Sequence, residues 1–277
     1  MKITIDGKTA DITLENEKSL GDVLEGIGEW LAGSGYSLSG LRVNGEALGA
    51  DAIAGSFDMA LDAIDTLDIE TAGLPALMAE ALVALRQTIG DYENAPFEGR
   101  PRVEQRWTAS PAASFLAECV PDLSGFAART FRGEGPAAAA LASLAEERLR
   151  ELRDPLREWE GLEEAVESTA QRLEDLPLDI QTGKDSRAAE TVRIFSAITE
   201  KLLRICSLLK LEGFITDTVR VDEMPFGVFI DDFSAALKEL LAAYEAKDAV
   251  LVGDLAEYEL APRLRSFYAA IKTPAAA

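Results

Sequence analysis

Apolar and polar residues alternate along Lys2-Ile3-Thr4-Ile5-Asp6 and again along residues 9–14 (TADITL), on either side of Asp6-Gly7-Lys8. A period of two puts alternate side chains on opposite faces of a strand, and Asp-Gly between two such runs supplies the positive φ angles of a tight hairpin. The period then changes. Ser19 precedes Leu20, Val23, Leu24, Ile27, Trp30 and Leu31, whose steps of three and four make one helical stripe, expected to be buried and stopped by Gly33. Leu41-Arg42-Val43 is a short strand closed by Asn44-Gly45, and Thr66-Leu67-Asp68-Ile69-Glu70 alternates once more. The predicted order is β-β-α-β-β.

From Pro75 onward strand signals vanish and helical periods take over. Leu77, Ala81, Ala84 and Leu85 begin one helix, ended near Gly90 and Pro96. Residues 95–111 hold Gly99, Pro101 and Pro111 and read as a linker or extended arm, after which Ser110-Pro111 opens a further helix interrupted at Pro121. A long helix is expected over about 137–175, with the stripe Leu141, Leu144, Leu149, Leu152, Leu156, Trp159, Leu162, Val166, Ala170 and Leu173 and a kink at Pro155. Its intervening positions mix both charges, as a solvated face does. The stripe Val192, Phe195, Ile198, Leu202, Ile205 and Leu209 is widened by Ile194, Leu203 and Leu208, so that helix is buried on more than one side. A C-terminal helical hairpin follows over about 227–271, turning at Lys247-Asp248.

The segments KITIDGKTADITL, LRVNGEAL and DTLDIET, with the helix between the first two, together resemble the ubiquitin-like β-grasp fold. The resemblance implies an α+β chain: a small N-terminal ubiquitin-like β-grasp domain over 1–73, followed by a mostly antiparallel all-α helical bundle over 74–277. It implies little about activity. Ubiquitin-like modifiers and sulfur carriers of this fold act through a free Gly-Gly tail, whereas this chain runs on through Thr71-Ala72-Gly73-Leu74-Pro75. The ferredoxin branch uses four cysteines, and residues 1–71 contain none.

Composition narrows the function. The chain has no histidine among its 277 residues, which removes the usual general base, triad base and transition-metal ligand. Cys119 and Cys206 are too few for a cysteine-rich zinc site or an iron–sulfur cluster, and both are expected as buried free thiols of a reducing compartment. No cofactor is expected. A net charge of −22 repels phosphate backbones and anionic headgroups, so neither nucleic acid nor membrane is an expected partner. No stretch approaches the ~18 apolar residues of a spanning helix, and the N-terminus enters a strand pattern with no signal-peptide character. A cytoplasmic, bacterial-type protein is expected. Residues 1–71 carry fourteen carboxylates against four basic side chains, a net of −10 that either steers a basic partner or simply maintains solubility.

Two regions are candidates for contact. Asp254, Glu257, Tyr258, Glu259 and Arg263, with Arg265 nearby, form the densest polar cluster of the C-terminal hairpin; Pro262 should bend the helix there. The plain reading of that cluster is an interhelical ion-pair network. Arg100, Arg102, Arg106 and Trp107 form a basic, aromatic patch on the expected arm, suited to docking onto the acidic N-terminal domain of the same or another copy. Asp231-Asp232, with Asp222 and Glu223, read as helix-capping residues rather than an acid–base pair. Gly183-Lys184-Asp185-Ser186 lacks the first glycine and the strand of a phosphate loop and reads as a helix start capped by Asp185 or Ser186.

The leading expectation is a non-catalytic protein–protein interaction or adaptor protein. Its acidic helical part is loosely similar to bacterial secretion or flagellar-export chaperones. The alternative is a divalent-metal enzyme using Asp254, Glu257 and Glu259. Homodimerisation through the helical hairpin is compatible with either.

Overall fold

The computed structural model describes residues 1–271 apart from 11, 13, 15, 16, 34, 35, 136 and 217. The chain divides into two compact units, Met1–Leu149 and Arg150–Ala277. The first opens with an N-terminal sheet domain, and helices follow.

The sheet domain is built from β1 (Lys2–Ile5), β2 (Lys8–Thr9), α1 (Leu20–Gly33), β3 (Tyr36–Val43), β4 (Glu46–Leu48), the short α2 (Ala50–Gly55) and β5 (Thr66–Gly73). Its strand order is β2-β1-β5-β3-β4. The first and last strands run parallel at the centre, with Ile3 opposite Leu67 and Ile5 opposite Ile69. Two tight turns fix the register. Asp6 and Gly7 take φ of 49° and 74°, and Asn44 and Gly45 take 50° and 84°, the left-handed pair that a two-residue hairpin turn requires. Both turns are tied to the neighbouring chain. The Asp6 carboxylate accepts from the Thr71 amide (2.8 Å) and hydroxyl (2.6 Å). The Asn44 side chain donates to the Ala63 carbonyl (3.0 Å) and accepts from the amides of Asp65 (2.7 Å) and Thr66 (3.1 Å). Leu20, Val23, Leu24, Ile27 and Leu31 of α1 are buried with Ile3, Leu41, Val43, Ile64, Leu67 and Ile69.

The β2 pairing is shorter than the alternation predicts. It ends at Ala10, whose amide donates to the Ile3 carbonyl at 3.0 Å. Ile12 and Leu14 belong to no ladder, and residues 11 and 13 lie outside those described.

The rest of the first unit holds α3 (Leu74–Asn94), α4 (Arg100–Thr108), α5 (Pro111–Cys119), α6 (Pro121–Phe131) and the start of α7 (Ala138–Arg153). Residues 100–108 correct the expectation of an extended arm: they are helical because Val103 and Trp107, four apart, both find a buried surface. Pro101 sits in the first helical turn, where its missing N–H costs no hydrogen bond.

In the C-terminal unit the expected single helix is three: the end of α7, α8 (Pro155–Glu160) and α9 (Glu163–Glu174). Proline explains the first break, with Asp154 accepting from the Arg157 amide at 3.1 Å as the cap of α8. Then follow α10 (Leu176–Gln181), α11 (Asp185–Leu211), a two-residue hairpin of β6 (Arg220–Val221) and β7 (Met224–Pro225), α12 (Phe226–Glu245), α13 (Ala249–Asp254), a π-helical segment Leu255–Leu260 and α14 (Ala261–Ala270). The small hairpin corrects the expectation that strands end at residue 75. Its turn is Asp222-Glu223, both at positive φ (47° and 67°), so these two residues cap no helix. The core centres on Phe195, Phe229, Phe233, Phe267 and Trp159, whose ring centroids approach to between 5.7 and 6.4 Å.

Candidate functional site

The sheet domain carries an apolar groove of about 570 Å³ along α1, lined by Ile5, Ala10, Ile12, Leu14, Val23, Ile27 and Trp30, with Gly26 on its wall and Glu17 and Asp22 among its lining residues. Its origin lies in the helical wheel of α1. Leu20, Val23, Leu24, Ile27 and Leu31 are a complete buried stripe without Trp30. At 100° per residue Trp30 falls beside that stripe, in line with Asp22 and Gly26 at steps of four. The expectation that Trp30 is core is thereby corrected: it is 61% exposed. The other two tryptophans, Trp107 and Trp159, are buried. Ile12 is also exposed.

The helix end beside the groove is held firmly. The Asp22 carboxylate accepts from the amides of Lys18 (2.8 Å) and Ser19 (3.1 Å), while the Ser19 hydroxyl accepts from the Asp22 amide (3.3 Å). These are reciprocal capping bonds between the N-cap and the third helical residue. They hold the Asp22 carboxyl below its ordinary value. The groove thus meets an ionised carboxylate at one end and an exposed indole at the other.

The polar cluster of the C-terminal hairpin is only partly brought together. Arg263 donates to Asp232 of α12 (3.0 Å) and to the Glu259 carboxylate, and Arg265 donates to Glu167 of α9 (2.8 and 2.9 Å) and to Glu174. Burial lowers the Arg263 pKa, but Glu259 and Asp232 outweigh it and the net shift is upward. The hydrogen bonds Arg265 donates to Glu167 and Glu174 raise its own pKa. These bonds tie α14 to two neighbouring helices. They also show why Asp231-Asp232 are not caps: α12 starts at Phe226, so both lie in its second turn, and Asp232 serves Arg263. Tyr258 is exposed, and its hydrogen bond with Glu257 raises its phenol pKa. Asp254 and Glu257 do not converge with Glu259 as ligands would. Among the described residues no three His, Cys, Asp or Glu side chains are placed to hold a metal ion. The bend expected at Pro262 takes the form of the π-helical turn just before it, where a widened backbone accommodates a ring that cannot donate an N–H.

The basic patch does not form one surface. Arg100 lies 4.9 Å from the Tyr92 ring centroid, Arg106 pairs with Asp91 on α3, Trp107 is buried against Phe131, and Arg102 is exposed. Gly183 takes φ of 70° as the stop of α10, and Lys184 pairs with the buried Asp179 at 3.5 Å. No side chain caps α11, so Asp185 and Ser186 do not fill the expected role. Cys119 and Cys206 are both free, but Cys119 is exposed where a buried thiol was expected. Burial pushes the Cys206 thiol up to about 12, which leaves it a poor nucleophile at neutral pH.

Comparison with known proteins finds two family models along the chain. Residues 1–73 match the TP0873 N-terminal domain, and residues 157–270 match a domain of unknown function, DUF8042. The groove lies within the first match, and the Arg263 and Arg265 ion pairs lie within the second. An uncharacterized protein of Treponema pallidum (strain Nichols) is 24% identical over 265 residues, which cover 96% of this chain and 93% of that protein. No solved structure matches. No helix among the described residues is long and apolar enough to cross a membrane.

Proposed function

We propose that this chain is a non-catalytic protein-interaction or adaptor protein whose N-terminal domain, of the ubiquitin-like β-grasp class, presents the α1 groove to a protein partner. The observation that carries the reading is Trp30, a large aromatic side chain left exposed at the mouth of an apolar groove. Tryptophan is enriched at binding hot spots because it offers a wide apolar face with a polar handle.

The β-grasp assignment is supported by the strand order, the parallel central pair and the single helix between the second and third strands. The non-catalytic reading is supported by the absence of histidine, by arginines that already engage Glu167, Glu174 and Glu259, and by a Cys206 thiol driven out of the reactive range. Two free cysteines fit a reducing, cytoplasmic setting. The nearly full-length match to the Treponema pallidum protein supports treating the sheet domain and the helices as one working assembly.

The test compares wild type with Trp30→Ala as bait for partners in a native extract, with quantitative mass spectrometry as readout. The proposal expects at least one protein held by wild type and lost by at least tenfold with Trp30→Ala. Identical profiles would refute it.

A further inference from the structure

The composition of α1 carries an oddity that its own packing does not explain. The helix holds Gly26 and Gly28 in its interior, where each glycine costs helix stability relative to alanine because it adds backbone freedom to the unfolded chain. Gly21, by contrast, has a reason: a Cβ there would lie 3.1 to 3.2 Å from Phe57. A Cβ at Gly26 or Gly28 would meet no atom of the described residues within 4 Å. Among the described residues of this domain, then, no contact requires either glycine.

Gly26 lines the groove, midway between Asp22 and Trp30, and Gly28 does not. The stripe from Asp22 to Trp30 therefore runs carboxylate, bare backbone, indole, over roughly 12 Å at 1.5 Å per residue. Bare backbone at the centre of a groove lets another chain approach more closely than any side chain would. Charge narrows what that chain can be. Glu25 and Glu29, three and seven residues past Asp22, are exposed on α1 and continue its charge as an acidic column on the solvent side of Gly26 and Trp30. Glu17 lines the groove from the segment before the helix. The whole of residues 1–71 has a net charge of −10.

We infer that the α1 groove takes a short peptide segment with an apolar centre flanked by Lys or Arg, seated over Gly26 and against Trp30. The inference rests on the interaction reading above and adds the site, the length scale and the charge of the occupant. The apolar centre replaces water on Ile12, Leu14 and Trp30, while basic flanks face the acidic column. Association should accordingly weaken as salt rises.

The test uses a random peptide display library selected on the full-length chain. Enriched peptides should share an apolar centre with basic flanks. Because Trp107 and Trp159 are buried, acrylamide quenching of the intrinsic fluorescence reads Trp30, and bound peptide should protect it. Gly26→Leu should abolish binding by at least about tenfold. It should also raise the melting temperature by about 2–4 °C, since leucine favours the helix and its Cβ meets no described atom within 4 Å. Gly28→Leu should raise the melting temperature similarly and leave peptide binding unchanged. That pair separates a binding loss from a folding defect.

Peptides that bind Gly26→Leu as well as wild type would overturn the site. Enriched peptides lacking basic residues would overturn the charge argument. An empty selection would overturn the peptide inference while leaving a folded-surface partner, which the Trp30→Ala comparison detects independently.

Discussion

Residues 1–71 carry fourteen carboxylates against four basic side chains, whereas residues 150–277 carry twenty-five against sixteen. The C-terminal unit binds its acids inward and sideways. Glu151 is buried and accepts from Arg204 at 3.0 and 3.2 Å, with Lys201 at 3.9 Å, and the buried Asp179 sits 2.8 Å from Arg187. In the sheet domain the acids serve turns and caps instead, at Asp6 and Asp22, and the ion pair Arg42–Glu70 is long (3.7 Å) and exposed on both sides. The same charge thus does two different things. In one region it orders helices against each other, and in the other it leaves a field facing outward beside an apolar groove.

That contrast can be broken by mutation. The largest effect is expected from Glu151→Ala, which removes the buried carboxylate shared by Arg204 and Lys201 and leaves them the outer carboxylates of Glu200 (2.9 Å) and Glu158 (3.5 Å). It should cost roughly 2–3 kcal/mol, at or below the low end of the range for breaking a buried pair because both cations keep some solvent and a second carboxylate; urea unfolding reads it. Next is Asn44→Ala in the sheet domain. It loses three hydrogen bonds and leaves alanine at a φ of 50°, and should cost about 1–2 kcal/mol by thermal melting. Arg42→Ala should change stability by less than ~0.5 kcal/mol, as for other solvated pairs. A loss comparable to that of Glu151→Ala would erase the contrast.

The pH dependence sharpens it further. Hydrogen bonds from Thr71 hold the Asp6 carboxyl low, and those from Lys18 and Ser19 hold Asp22 low, both beneath an ordinary value of 3.8. A carboxyl depressed in the folded state stabilises fully above its unfolded value and stops doing so as pH falls through its folded value. Stability should therefore be flat from neutral pH down to the ordinary carboxylate range and decline only below it. Asp6→Asn should shrink that acid-side decline, as followed by circular dichroism. A decline beginning near neutral pH would contradict these assignments.

Much of the sheet domain is legible in the sequence because its signals are local. Asp6-Gly7 and Asn44-Gly45 announce hairpin turns, and Ser19 with Asp22 announces the start of α1. The helical stripes are legible for the same reason, as is the turn at Lys247, where φ is 56°. What escaped was set by nonlocal partners. Residues 95–111, punctuated by Gly99, Pro101 and Pro111, look like an extended arm until Val103 and Trp107 find a core. In the sequence Arg263 and Arg265 group with Asp254 and Glu257, but their partners include Asp232 and Glu167, which are 31 and 98 residues away. The groove is hidden in the sequence because Trp30 fits a spacing of three from Ile27. Counting angles around α1 was the available signal: the buried stripe is complete without it, and Trp30 shares a line with Asp22 and Gly26.

The most direct test replaces Trp30 with a photo-crosslinking phenylalanine analogue in the native cell, alongside the same replacement at Phe97, which is 82% exposed. The account predicts a discrete crosslinked protein from position 30 that is absent at position 97 and lost when Gly26→Leu is added. Crosslinks of equal identity and yield from both positions, or persistence with Gly26→Leu, would contradict it.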